Sequence, residues 1–239
     1  MKLNIFHSVI TDGIMSKEKN YFKNVSKEDI EAMYYLKTKR FLQKYNLSNE
    51  DMVVLNEKNN KMSSRVVTKN QKEYKEAVLI LKETTPNLPI LVETDDDPVI
   101  VASAETEDNK KVAVIGLATI GNLANGLIHE MTETLMKETD KATFEMTFYI
   151  GPCPSKENYV VEKDKVTAKI FEKAIETKKN ITYLDIRYAI FNELYLEIVD
   201  PNNIYFDSTD TVTSEKYFSR IGNKEGRHAA CIVFTNEEA

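Results

Sequence analysis

Three histidines and two cysteines are the only imidazole and thiol groups in the sequence: His7, His129 and His228, with Cys153 and Cys231. None stand close enough together to make an HExxH or CxxC motif, so any transition-metal site must be assembled from distant segments. Each cysteine lies in a mostly apolar stretch that reads as buried. Cys153, in GPCPS, has no His or Lys placed by sequence to lower its pKa and make it a nucleophile. His129 sits beside Glu130 in a helical pattern, where adjacent positions do not face each other and form no acid/base dyad. His228 follows Gly226-Arg227 and precedes an apolar run, a context that reads as a surface or half-buried residue, with general base as the sharper alternative.

Carboxylates supply the next candidates. The run Glu93-Thr94-Asp95-Asp96-Asp97-Pro98 falls between two predicted strands. Three adjacent carboxylates offer hard oxygen ligands to Mg²⁺ or Ca²⁺, but along extended backbone Asp95 and Asp97 share one face and Asp96 takes the other, so a solvated turn is the plainer reading. GLATIGN places Gly116 and Gly121 between a strand and a helix, where backbone amides can meet an anion. The GxxxxG spacing is followed by Asn122-Leu123 in place of the Lys-Ser/Thr that a phosphate-binding loop needs, so nucleotide hydrolysis is not expected and a packing turn is the default. Gly121, Asn122 and Arg227 are the candidates for contact with a ligand.

These residues must be positioned by a mixed set of elements. Ser26 with Asp29 looks like a capping box, and Ile30, Met33, Phe41 and Leu42 recur near helical spacing, which predicts a helix over residues 27–45. The runs MVVL, RVVT, AVLIL, LPILVE, PVIVAS and KVAVIG, separated by charged or Asn-rich turns, predict the strands of a sheet core. A helix is predicted from Gly121 to Lys137, then a strand at TFEMTFYIG, two amphipathic helices over TAKIFEKAIETK and YLDIRYAIFNELYLEI, and a closing strand pair, YFSRIG and RHAACIVF. The expected fold is α/β (α+β), a single domain over residues 1–239 with a mixed β-sheet core layered with helices, since no repeat, low-complexity linker or Pro/Gly-rich hinge divides the chain.

Composition narrows the function classes. Hydrophobic residues make up 42% and charged residues 29% of the 239 residues, enough apolar area for a core and no disorder signature. A net charge of -6 without basic blocks removes the footprint of a protein that tracks nucleic-acid phosphates. No run approaches the roughly 18 apolar residues of a membrane span, and the N-terminal stretch turns polar too soon for a signal sequence. The expectation is a soluble, cytoplasmic protein with no nucleic-acid or membrane partner.

Read in order, the segments resemble the laccase-domain family, also called multicopper polyphenol oxidase. Residues 54–60, VLNEKNN, are similar to its LNQVHG, ETDDDPVIV to TADCxPxLL, and VAVIGLATIGNLANGLI to its strand and HAGWRG turn before a helix. YIGPCPSKENYVV is similar to IGPxIxxxxYEV, LDIRYAIFNEL to DLxxANxxQL, and YFSRIGNKEGRHAACIV to FFSYRR…TGRxAxxI. The matches run from about Asp12 to Val233.

The resemblance implies purine nucleoside phosphorylase chemistry with deaminase side activities, and one zinc, or copper by older description, held by His, Cys and His with an open position. The matching positions here are Asn59, Asp96 and Gly116. Neutral Asn is a poor ligand, Gly has no ligating side chain, and one carboxylate does not replace three protein ligands, so the family's zinc or copper is not expected to bind. Other departures agree: the Arg of the family's RxGG falls at Ile10, its Gln at Glu57, and only Gly121 survives of HAGWRG. Two readings follow. One is a non-catalytic relative that binds a purine nucleoside or another small ligand, or serves as a protein-binding surface. The other is an enzyme in which Asp95, Asp96 or Asp97 works with Glu57 or His228 as acid and base without metal.

Overall fold

The computed structural model describes residues 1–55, 61–74 and 76–236. Among them, strands order into three sheets. The first runs β1 (Lys2–His7), β14 (His228–Thr235), β6 (Ile90–Thr94), β2 (Val53–Leu55) and β4 (Glu73–Tyr74). The second runs β13 (Ile204–Phe206), β9 (Thr147–Ile150), β7 (Val99–Glu105), β8 (Lys111–Leu117), β5 (Glu76–Lys82) and β3 (Lys61–Val66). A small third sheet holds β10 (Val160–Val161), β12 (Ile181–Leu184) and β11 (Ile175–Lys178).

Alternation along the strands stacks these elements into layers. In β8, Val112 and Val114 point to one core cluster while Ala113, Ile115 and Leu117 point to another. The first cluster is covered by helix α3 (Leu127–Thr139), through Leu127, Met131 and Leu135, and by helix α4 (Ile186–Leu196), through Ala189 and Ile190. The second cluster lies between the two large sheets, where Ile90 and Val92 of β6 and Ala230 and Ile232 of β14 meet it. On the outer face of the first sheet, Leu91, Ala229, Cys231 and Val233 pack against Phe41 and Leu42 of helix α1 (Lys27–Gln43). This is the expected mixed α/β architecture with helices layered on sheets.

The Ser26 hydroxyl accepts from the Asp29 N–H and donates to the Asp29 carboxylate, which sets the start of α1. Ile30, Tyr34, Thr38, Phe41 and Leu42 form its buried stripe, and it ends two residues before the expected Tyr45. The helix expected over 121–137 is instead broken into α2 (Ile120–Ala124) and α3, because Gly126 takes φ 86° between them. TAKIFEKAIETK is not a helix. It forms a 3-10 turn at Lys169–Phe171 and then β11, which hairpins with β12 through Lys179 and Asn180, both at positive φ, 49° and 65°. The second expected helix begins later, at Ile186, capped by Asp185, whose carboxylate accepts from the Tyr188 N–H. YFSRIG is not a strand: from Asp207 to Arg227 the chain is irregular, and β14 pairs instead with β1 and β6. No helix among the described residues is long and apolar enough to cross a membrane.

Candidate functional site

The acidic run is not a solvated turn. Asp95 and Asp96 are buried, at 4% and 2% exposure, just past the end of β6. Asp95 Oδ1 accepts from the Asp96 N–H at 2.7 Å, which folds the run back on itself and sends the Asp96 carboxylate inward. Asp96 Oδ1 accepts from the hydroxyls of Thr211 at 2.8 Å and Ser219 at 2.7 Å, and Oδ2 accepts from the Ile221 N–H at 3.0 Å. Burial, opposed by these three hydrogen bonds, carries the Asp96 carboxyl above its ordinary range. Asp97 is half-buried, and its carbonyl accepts from the Thr94 hydroxyl at 2.5 Å. The three carboxylates therefore do not converge on one cation.

His228 is wholly buried, at 0% exposure, where the sequence suggests a surface or half-buried residue. The register of β14 against β6 pairs it with Thr94 and turns it between the two large sheets. Its ring lies 4.7 Å, centroid to centroid, from Tyr217, and neither ring nitrogen has a hydrogen-bond partner among the described residues. His7, from the end of β1, points into the same space. Its Nε2 is 3.1 Å from the Tyr149 hydroxyl, which donates at 3.4 Å to Asp207, and its Nδ1 is buried without a partner. Burial pushes the His7 imidazole down to about 4 and the His228 imidazole down to about 3; His7, Lys224 and Arg227 add to the shift at His228. Both rings are neutral at pH 7. No sequence motif joins His7, Tyr149, Asp207 and Tyr217, because the four positions are far apart along the chain.

Arg227 faces the opposite side of the first sheet, where its guanidinium lies 3.7 Å from the Glu18 carboxylate. Beside it Glu93 is pushed up to about 7 by burial, against the Tyr34 hydroxyl that hydrogen-bonds to it and the nearby charges of Arg227 and Lys17. Arg227 thus serves an internal ion pair beneath α1. Gly116 is not in a turn. It lies within β8, opposite Val78 and Ile100, and a Cβ there would come within 3.0 Å of Leu127 Cδ1 and 3.1 Å of Met131 Sδ, which α3 packs against it. The turn itself is sealed from within, since the Thr119 hydroxyl accepts from the Asn122 N–H and the buried Asn122 amide donates to the Leu117 carbonyl. Gly121 is exposed, and a Cβ there would make only an ordinary contact, at 3.8 Å, with the Thr119 hydroxyl. Glu57 and Asn59 lie outside the described residues.

The remaining candidates are separate. Cys153 is buried, its Sγ accepting at 3.3 Å from Arg187 Nε, and burial pushes its thiol up to about 11, the wrong direction for a nucleophile. His129 is exposed on α3 and hydrogen-bonds to Glu197 at 3.0 Å. Among the described residues no three His, Cys, Asp or Glu side chains are grouped to hold a metal ion. A cleft of about 390 Å³ opens between Asn20 and Tyr21 on one side and Arg220, Asn223, Glu225 and Gly226 on the other.

Residues 15–235 match the family model described as multi-copper polyphenol oxidoreductase laccase. The chain belongs to this family. Three solved structures share the fold of this laccase-domain protein. YlmD of Geobacillus stearothermophilus superposes with a TM-score of 0.74 at 16% identity, covering 86% of this chain and 81% of its own. The hypothetical protein YfiH of Bacillus licheniformis gives 0.72 at 18%, covering 86% and 82%. NMB0706 of Neisseria meningitidis gives 0.70 at 17%, covering 98% and 95%. Among curated proteins no sequence matches significantly.

Proposed function

We propose that this laccase-domain protein is a non-catalytic relative that keeps the fold and binds a purine nucleoside or another small ligand without a metal. The observation that supports this reading most directly is the state of Asp96. A transition metal at this position would compete with three donors already bound to the carboxylate, and an oxygen is a harder ligand than the thiolate the resemblance calls for. At Gly116 there is no ligand atom, and Leu127 and Met131 fill the space a longer side chain would enter. These two positions do not fit the family's zinc or copper. The acid/base alternative is weakened by the same geometry: Asp96 has both oxygens engaged, and His228 is neutral, enclosed and remote from solvent.

The ligand half of the proposal draws on the cleft beside Tyr21, whose volume lies in the usual range for small-molecule sites and whose rim carries an aromatic ring, two amides, a guanidinium and a carboxylate. Elemental analysis of the purified protein is expected to give less than a tenth of an equivalent of zinc or copper, on the order expected for adventitious metal. Calorimetric titration with inosine and adenosine is expected to give saturable heat, with no hypoxanthine or adenine released in phosphate buffer. Stoichiometric metal, or base release that fails in the Asp96→Ala protein, would overturn the non-catalytic reading. Absence of heat with every nucleoside would overturn the ligand assignment.

A further inference from the structure

The chain between β13 and β14, Asp207 to Arg227, has no regular secondary structure, and it exceeds the roughly 12–15 residues beyond which such connections are uncommon in compact domains and usually functional. It is closed down on the two sheets by the burial of Tyr217 and Phe218, by hydrogen bonds from the Ile10 N–H to the Lys216 carbonyl and from Arg187 to the Thr209 carbonyl, and by polar side-chain attachments. Thr211, Ser219 and Ile221 hold Asp96, Asp207 holds the Tyr149 hydroxyl, and Asp210 accepts from Asn158 Nδ2 at 2.6 Å. Lys224 ties the segment to itself, its ammonium donating to the carbonyls of Thr211 and Ser214. Beneath the segment lie the two neutral histidines, and Tyr217 closes over both: its ring is 4.7 Å from His228 and edge-on to His7 at 6.1 Å.

Three ring nitrogens, His7 Nδ1 and both of His228, are buried without a hydrogen-bond partner among the described residues. A buried ring nitrogen without a partner is less stable than a hydrated one, a cost that disappears once water reaches it. We propose that residues 207–227 form a proton-sensitive lid, opened by protonation of the histidines His7 and His228 beneath Tyr217. No other part of the chain needs to unfold for this, because the strands under the lid keep their own sheet partners.

The charges around the pair favour opening. His7 faces Tyr149 from β9, Tyr217 and Asp207 from the lid, and His228 from β14; of these only Asp207 favours its protonation. His228 faces His7 and Tyr217, and the charges of His7, Lys224 and, from the other side of the sheet, Arg227 all disfavour its protonation. Lifting the lid removes Tyr217 and Lys224 and admits water, so both rings return toward the ordinary value of 6.5. A group whose closed-state pKa lies below its open-state pKa binds its proton more readily when open. Opening therefore gains as pH falls from about 6.5 toward the closed-state values of about 4 and 3. Asp96 acts in the opposite sense, since its carboxyl is raised in the closed form.

Hydrogen–deuterium exchange on the full chain, with labelling times scaled to the intrinsic rate at each pH, tests the lid. Between pH 7.5 and pH 5, each histidine freed by opening raises the open population about 30-fold. Peptides from 207–227 are expected to lose protection by 30-fold or more, roughly, while β5, β7 and β8 stay protected. His228→Phe keeps an aromatic ring and removes one titration, and is expected to cut the pH response by about 30-fold; His7→Phe gives the second half. Lid protection that is independent of pH in the parent protein would overturn the proposal, as would strand amides that lose protection in step with the lid. An undiminished response in both Phe variants would do the same, and if either variant fails to fold, the parent's lid-against-strand comparison still decides.

Discussion

Removing the Asp96 carboxylate is the sharpest test of how the laccase-domain fold is held together here. Asp96→Ala leaves the Thr211 and Ser219 hydroxyls and the Ile221 N–H without their acceptor in a site that is 2% exposed. Hydrogen bonds to a charged group are worth about 1.5–3 kcal/mol each, but a buried carboxylate also has a desolvation cost that its removal returns. The two hydroxyls can rotate toward other acceptors, whereas the backbone N–H cannot. The net loss is therefore about 2–4 kcal/mol, which for a chain of this size lowers the melting temperature by about 4–16 °C. Asp96→Asn keeps one oxygen for the hydroxyls but sets an amide against the Ile221 N–H, and is expected to lose about half as much. Thermal unfolding followed by circular dichroism, with urea midpoints at constant m, measures both. An Asp96→Ala protein within about 0.5 kcal/mol of the parent would refute the picture of a committed, structural carboxylate and return Asp96 to the pool of catalytic candidates.

Gly116→Ala is expected to destabilise by about 1–3 kcal/mol, because its Cβ meets Leu127 and Met131 at 3.0 and 3.1 Å; a shift of urea midpoint to higher concentration would contradict this packing. Glu93 has a folded-state carboxyl raised to about 7 from an ordinary 4.5, so its contribution is intact below about pH 4.5 and is lost as pH rises through 7. The parent's melting temperature should accordingly fall between pH 6 and pH 8 more than that of Glu93→Gln, and equal slopes would show that burial is not governing this group. Ser26→Ala removes the cap of α1 and should cost about 1 kcal/mol in the same urea assay.

Most of the scaffold is legible in the sequence because its signals are local. The capping pair Ser26 and Asp29, and strands such as KVAVIG, carry their own pattern. The segment 167–178 misleads because Phe171 and Ala174, both buried, have helical spacing, while the decision rests with the pairing of Ile175–Lys178 against β12 and with the Lys179-Asn180 turn. Proximity in sequence misleads at His228 too: Gly226 and Arg227 suggest surface, but the residue enters the layer between the sheets through its pairing with Thr94. The burial of Asp96 depends on donors more than a hundred residues away, at Thr211, Ser219 and Ile221, and no window on the sequence contains both ends of those bonds. The family resemblance gives the fold correctly, and it identifies the positions worth examining, but the chemistry at Asp96 and Gly116 is visible only in their packing.

The position of β14 in the first sheet has a consequence for biosynthesis. It follows the other strands of that sheet in sequence, yet it lies between β1 and β6, pairing Lys2 with Thr235 on one side and Thr94 with His228 on the other. Until residue 235 has left the ribosome, β1 lacks the strand that it pairs with among the described residues, and Ile90, Leu91 and Val92 present an open apolar edge. While residues 95–235 are being made, the nascent protein therefore carries a sticky seam at the centre of this sheet, the condition in which chaperone capture and edge-to-edge aggregation compete with folding.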